Sequence, residues 1–142
     1  MLWKRKFNLA DVNKNMENTL SSHLKIKIDE IGEDFLSGTM PVNDFTKQPY
    51  GILHGGASVA LAETLGSLGS NLAIQEGYNT VGLEINANHI KAVKDGKVKG
   101  IAKPIHIGRS THIWQIKIYQ DSKMTCVSRL TMAILEMKMP SS

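Results

Sequence analysis

The run Leu53–Ser70, LHGGASVALAETLGSLGS, constrains the fold more than any other part of the chain. It opens on paired glycines, holds no proline, and continues to Gln75 in residues that favour or tolerate a helix. Ala57, Ala60, Ala62, Gly66, Gly69 and Ala73 place small side chains on several of its faces. A surface helix would show a cleaner polar face. Small residues on several sides suit a central helix enclosed by a curved sheet. The spacing predicts a helix from about Gly55 to Gln75, with Gly77 as its C-terminal cap.

The flanking segments supply the sheet. Leu24, Ile26 and Ile28 alternate with polar residues and predict a strand over His23–Ile31, with Phe35–Pro41 as its hairpin partner. Four further strand-like runs follow the helix: Thr80–Val93, Lys97–Ile107, Thr111–Tyr119 and Thr125–Leu135. Asp95-Gly96 predicts a hairpin between the first two, and Gly108 and Asp121-Ser122 break the others. Leu9, Val12 and Met16 predict one short helix within Phe7–Leu20, and Asn43–Tyr50 reads as loop. Helix, two strands, long helix, four strands is an α+β order. With 142 residues, no internal repeat and no linker, one domain over 1–142 is expected.

Several function classes drop out. Ala57–Ile74 is interrupted by Glu63, Thr64, Ser67, Ser70 and Asn71, so no membrane span is expected. The basic start Met1–Lys6 is not followed by an apolar leader, and the lone Cys126 allows no internal disulfide. Both point to the cytoplasm. The formal charge of +4, from 17 basic and 13 acidic residues, reads as a solvated surface or as attraction to a phosphate-bearing small molecule. No block of Lys and Arg stands out, so nucleic acid is not an expected partner. The five histidines lack paired ligand spacing and there is no CxxC, so no metal is expected. Walker, dinucleotide and GxSxG motifs are absent from the sequence, and no cofactor is expected.

The long helix carries the candidate chemistry. Glu63 is the one carboxylate among its small and apolar residues. It reads either as a solvent-facing helix residue or as a base or nucleophile. Ser67 and Asn71 follow at successive turns and extend a polar stripe, as on a pocket wall. At the helix start, Gly55 and Gly56 bare backbone N–H groups and the positive dipole end toward something negative, such as a developing oxyanion. His54 either bonds to the turn or donates beside it. Gln48 either lies on a surface loop or offers its amide to a carbonyl oxygen. Glu63 and Gly55 are eight residues apart, which is roughly 12 Å along a helix. One helix cannot bring both to one carbonyl carbon, so an obligate dimer with shared sites is expected. His89 shares strand parity with Val81, Leu83, Ile85 and Ala87 and reads as a core histidine or a ligand contact. Lys91, His106, Arg109 and Ser110 lie near strand ends, where they are solvated or grip phosphates.

These residues resemble a known family. Gln48-Pro49-Tyr50-Gly51-Ile52-Leu53-His54-Gly55-Gly56, followed by Leu61-Ala62-Glu63-Thr64-Leu65-Gly66-Ser67, resemble the hotdog-fold acyl-CoA thioesterases. The branch most similar is the bacterial menaquinone-pathway enzymes that hydrolyse 1,4-dihydroxy-2-naphthoyl-CoA. Val81–His89, Met1–Arg5 and Trp114-Gln115-Ile116 strengthen the likeness, which runs nearly end to end. Tyr50 stands where the family pattern has Phe. The resemblance implies a long helix wrapped by an antiparallel sheet, protomers joined edge to edge, and pairs of dimers forming homotetramers. It implies Glu63 as the catalytic carboxylate, Gly55 as the N–H that polarises the thioester carbonyl, Gln48 and His54 as its supports, and Ser67 as the helical hydroxyl. It implies that Gly82, the segment His89, Ile90, Lys91, Ala92, and the segment His106, Ile107, Gly108, Arg109, Ser110, Thr111 hold the coenzyme A arm. The function implied is hydrolysis of an aromatic acyl-CoA without metal or cofactor. A sister branch that proofreads aryl-carrier proteins shares almost the same core motifs. A hydratase would need a His–Asp pair, and no Asp stands in this helix. Two other readings are a non-catalytic acyl-CoA sensor, against which Glu63 argues, and a purely structural oligomeric domain, against which the polar stripe argues.

Overall fold

Strand alternation decides what faces inward. In β5 (Thr111–Gln120), His112, Trp114, Ile116 and Ile118 are buried and the residues between them are half-exposed. The computed structural model describes residues 1–138. Its other elements are α1 (Leu9–Asn15), α2 (Leu20–His23), β1 (Lys27–Ile31), β2 (Leu36–Pro41), α3 (Gly55–Leu72), β3 (Tyr78–His89), β4 (Lys97–Ile107) and β6 (Lys123–Glu136). The six strands form one sheet in the order β1-β2-β4-β5-β6-β3, and every neighbouring pair is antiparallel.

α3 packs against β2 through β6. Its small residues are explained by what lies beneath them. A Cβ on Gly66 would stand 2.5 Å from Leu130, and one on Gly69 would stand 2.6 Å from Trp114. Gly100 of β4 makes room in turn for Leu65. Leu61, Ala62 and Leu65 are fully buried with Ile116, Ile118 and Leu130. Full burial of each large side chain is worth roughly 1.5–3 kcal/mol, so the helix is fixed against the sheet. Among the described residues no helix is long and apolar enough to cross a membrane.

The structure corrects several of these expectations. β3 does not pair with β4: it crosses to the far edge and pairs with β6. Gly96 has the positive φ (76°) that a turn demands, but its carbonyl accepts from the Val42 N–H at 2.8 Å. Local turn chemistry sets the bend and leaves the pairing open. The long helix ends at Leu72, not Gln75, because its last carbonyl is taken by the N–H groups of Lys4 and Arg5 at 2.8 and 3.1 Å. Gly77 (φ 91°) lies in the turn into β3 and does not cap the helix. The N-terminal helical segment is two helices separated at Asn18 (φ 62°), and α2 with Lys25 (φ 59°) delays the first strand to Lys27.

Candidate active site

The start of α3 is built by the residue before it. His54 has extended backbone, and its ring Nδ1 accepts the Gly56 N–H at 2.7 Å. That bond fixes Nδ1 as an acceptor, so the neutral ring carries its proton on Nε2. His54 thereby caps the turn, with its Nε2 left as the ring's other hydrogen-bonding atom. The Gly55 N–H is the first of the helix and has no intrahelical acceptor. His89 lies across it. A Cβ at Gly55 would stand 2.9 Å from the His89 Nε2, so a larger residue there would have to push the exposed His89 ring aside. His89 is exposed at the end of β3, which settles it as a cleft residue and not a core histidine.

Gln48 sits in the turn before the helix. Its N–H bonds to the Ile52 carbonyl at 2.9 Å, and its side-chain oxygen accepts the Tyr50 N–H. With the oxygen engaged, the amide NH₂ is the part left to donate. Gln48, Gly55, His89, Ile90, Lys91 and Ala92 line one small cleft.

Glu63 opens elsewhere. It lies in a larger groove with Ser67 and Asn71, so the polar stripe of α3 does form a pocket wall. The carboxylate reaches β3, where a Cβ on Gly82 would stand 3.1 Å from Oε1. Gly82 therefore serves to seat Glu63 against the strand. Ser67 Oγ lies 3.7 Å from the Met132 sulfur one turn on. The ion pair found among the described residues joins Arg5 to Glu76 at 3.9 Å, so Glu63 carries no ionic partner.

The two expected coenzyme-arm segments do not meet within one chain. Ile90 and Lys91 bond through their N–H groups to the Thr125 carbonyl, at the β3 terminus. His106–Thr111 forms the β4–β5 turn, closed by the Gly108 N–H on the Thr111 carbonyl at 2.8 Å. That turn shares the sheet end of Gly82, since Ile107 pairs with His112, His112 with Met132 and Met132 with Gly82. His89 is in register with Cys126 and Ile118. His112 and Ile118 lie on the same strand, roughly 20 Å apart at strand rise. Beneath the turn, buried His112 bonds Ser70 at 3.0 Å, and burial, followed by the charges of Lys4 and His106, holds its pKa below the usual histidine range.

Sequence reasoning missed Lys123. It stands beside Lys91, and by side-chain hydrogen bonding and then by charge repulsion it holds the Lys91 ammonium below the ordinary lysine range. Two exposed cations side by side, one of them lining the small cleft, favour an anion there. The signal was long-range: it needed the pairing of β3 with β6. The residues of α1 and α2 that wall the larger groove were also missed as site residues.

Comparison with known proteins fits this arrangement. The model of the thioesterase superfamily matches residues 50–127, more than half of the chain. The 1,4-dihydroxy-2-naphthoyl-CoA hydrolase of Escherichia coli is 47% identical over 136 residues, covering 95% of this chain and all of that one. A proofreading thioesterase of Cronobacter turicensis is 46% identical over 136 residues, covering 95% of this chain and 99% of its own. The crystal structure of a thioesterase from Haemophilus influenzae superposes with a TM-score of 0.96 at 48% identity, over the whole of both chains. With a helix-filled antiparallel sheet of the hotdog type, a bare helix N-terminus and an unpaired carboxylate on that helix, this chain belongs to the thioesterase superfamily and is a thioester hydrolase.

Proposed function

We propose that the chain hydrolyses an aromatic acyl-CoA, with 1,4-dihydroxy-2-naphthoyl-CoA as the expected substrate, in a site completed by a second copy of itself. One observation carries the reading: Glu63 and Gly55 open into different clefts of one chain. The bare edge strand β3 supplies the remedy. Antiparallel pairing of two β3 strands about a twofold turns one chain end for end. The Gly82 end of one strand then lies against the His89 end of the other. Glu63 of one protomer approaches Gly55 of its partner, and the His106–Thr111 turn of one approaches Ile90–Ala92 of the other.

In such a site the thioester carbonyl oxygen accepts from the Gly55 N–H, with the helix dipole and the Gln48 amide behind it. Glu63 either attacks the carbonyl carbon itself, giving a mixed anhydride that water then hydrolyses, or takes a proton from a water whose oxygen attacks that carbon. The C–S bond breaks and coenzyme A leaves as thiolate, with His54 Nε2–H as the nearby donor. The Lys91–Lys123 pair suits the coenzyme phosphates. Two such dimers form a tetramer in this reading, and the lone, buried Cys126 suits a reducing cytoplasm.

The test is free-thiol release from 1,4-dihydroxy-2-naphthoyl-CoA, benzoyl-CoA, a medium-chain acyl-CoA and an aryl-carrier-protein thioester, with wild type and Glu63→Gln. The naphthoyl ester should be fastest. Glu63→Gln should lower kcat by about 10²–10⁴-fold and change KM little. Undiminished turnover in the variant would remove Glu63 from the chemistry. Preference for the carrier-protein thioester would move the substrate to the proofreading class named for the Cronobacter relative.

A further inference from the structure

Leu9 and Val12 of α1 and Met16 at its C-cap stand at helical spacing; Val12 and Met16 rest half-buried against the core, yet neither α1 nor α2 fully buries a residue. An amphipathic helix ordinarily packs that face into a core. The segment is nevertheless held firmly. Trp3 stacks on Trp114 at 6.2 Å and donates to the Gly32 carbonyl at 2.6 Å. Asn13 clasps Ile28, accepting its N–H at 2.8 Å and donating to its carbonyl at 2.9 Å. Ser21 and Thr64 bond at 3.0 Å. Between these pins the segment stands off α3 and leaves a groove of about 870 Å³.

That volume lies within the range of small-molecule sites, roughly 300–1,000 Å³. The floor is the half-buried stripe of α3 with Glu63, Ser67 and Leu68, and the wall is Phe7, Val12, Met16 and Leu20. Glu63 thus looks into the groove and toward β3 together. The groove turns polar two helical turns beyond the carboxylate, at Asn71 and Arg5. An acyl group held by its carbonyl at Glu63 would run down this floor, with apolar surface beside α1 and polar substituents at the far end. We propose that the N-terminal segment walls the acyl subsite, and that Val12 and Met16 set the width open to a flat, polar-substituted aromatic acyl group. This rests on the hydrolase reading above and names the residues that select its substrate.

Met16 lines the groove and is half-buried against the core, so Met16→Trp narrows the groove, with thermal unfolding to check that the fold is kept; Val12→Phe is the second variant. Each is assayed with 2-naphthoyl-CoA, benzoyl-CoA and butyryl-CoA. KM for the naphthoyl ester should rise about tenfold or more, while butyryl-CoA stays within about twofold. Equal loss on all three esters, or no change on any, would overturn the subsite and leave the hydrolase reading intact. Calorimetry in the Glu63→Gln background separates the two ideas. There Met16→Trp should weaken 2-naphthoyl-CoA and leave free coenzyme A unchanged, whatever rate the wild type shows. Identical shifts for both ligands, or none, would also overturn it.

Discussion

The two edges of the sheet are treated in opposite ways. β1 is five residues long, has a register shift between Ile28 and Glu30, and is clasped by Asn13 of α1. β3 is twelve residues long and lies bare, with Val81 45% and Leu83 61% exposed. Proteins blunt edge strands by shortening, bulging or covering them, because an open edge is a template for pairing. All three devices are present at β1. At β3 a bulge at Gly82–Glu84 is the sole one, and it sits where Gly82 seats Glu63. The contrast is between one edge sealed within the chain and another left open, which the function proposed above uses for assembly and chemistry together.

The sharpest way to break this contrast is Leu83→Arg. A charge on the open edge should dissociate the dimer and abolish turnover, while far-UV circular dichroism stays unchanged; sedimentation velocity reads the first and thiol release the second. A fully active monomer would sink the shared site. A subtler test mixes Glu63→Gln with Gln48→Ala, each nearly inactive alone. Refolded together in equal amounts they should recover about a quarter of wild-type activity, since half the dimers are mixed and each has one intact site of two. No recovery would place both residues in the same chain's site. At the sealed edge, Asn13→Ala should cost about 1–3 kcal/mol of stability, read by urea unfolding, with the assembly state unchanged. Loss of the dimer in that variant would show that the edges are not independent.

Much of this was legible in the chain itself. His54-Gly55-Gly56 marked the helix start because glycine and a capping side chain act locally. The alternation of Trp114, Ile116 and Ile118 marked a half-buried strand, since period two follows from the pleat. Strand partners were less legible. Asp95-Gly96 announces a turn, but which strands flank it in the sheet depends on what α3 leaves room for. The apolar parity of Val81, Leu83, Ile85 and Ala87 suggested an inward face. The bulge moves Leu83 out of that row, and the edge position leaves the strand uncovered. Lys123 beside Lys91 was invisible for the same reason.

The place of β3 also bears on synthesis. The strand leaves α3 at Tyr78 but has β6 as its neighbour, ending at Glu136. Until β6 emerges from the ribosome, β3 lacks its strand partner and has only α3 to pack on, and such long-range pairing is slow to form. The edge proposed above to pair with a second copy is therefore the last to be shaped. On that reading, unfinished chains would be kept from premature association and only finished ones would assemble.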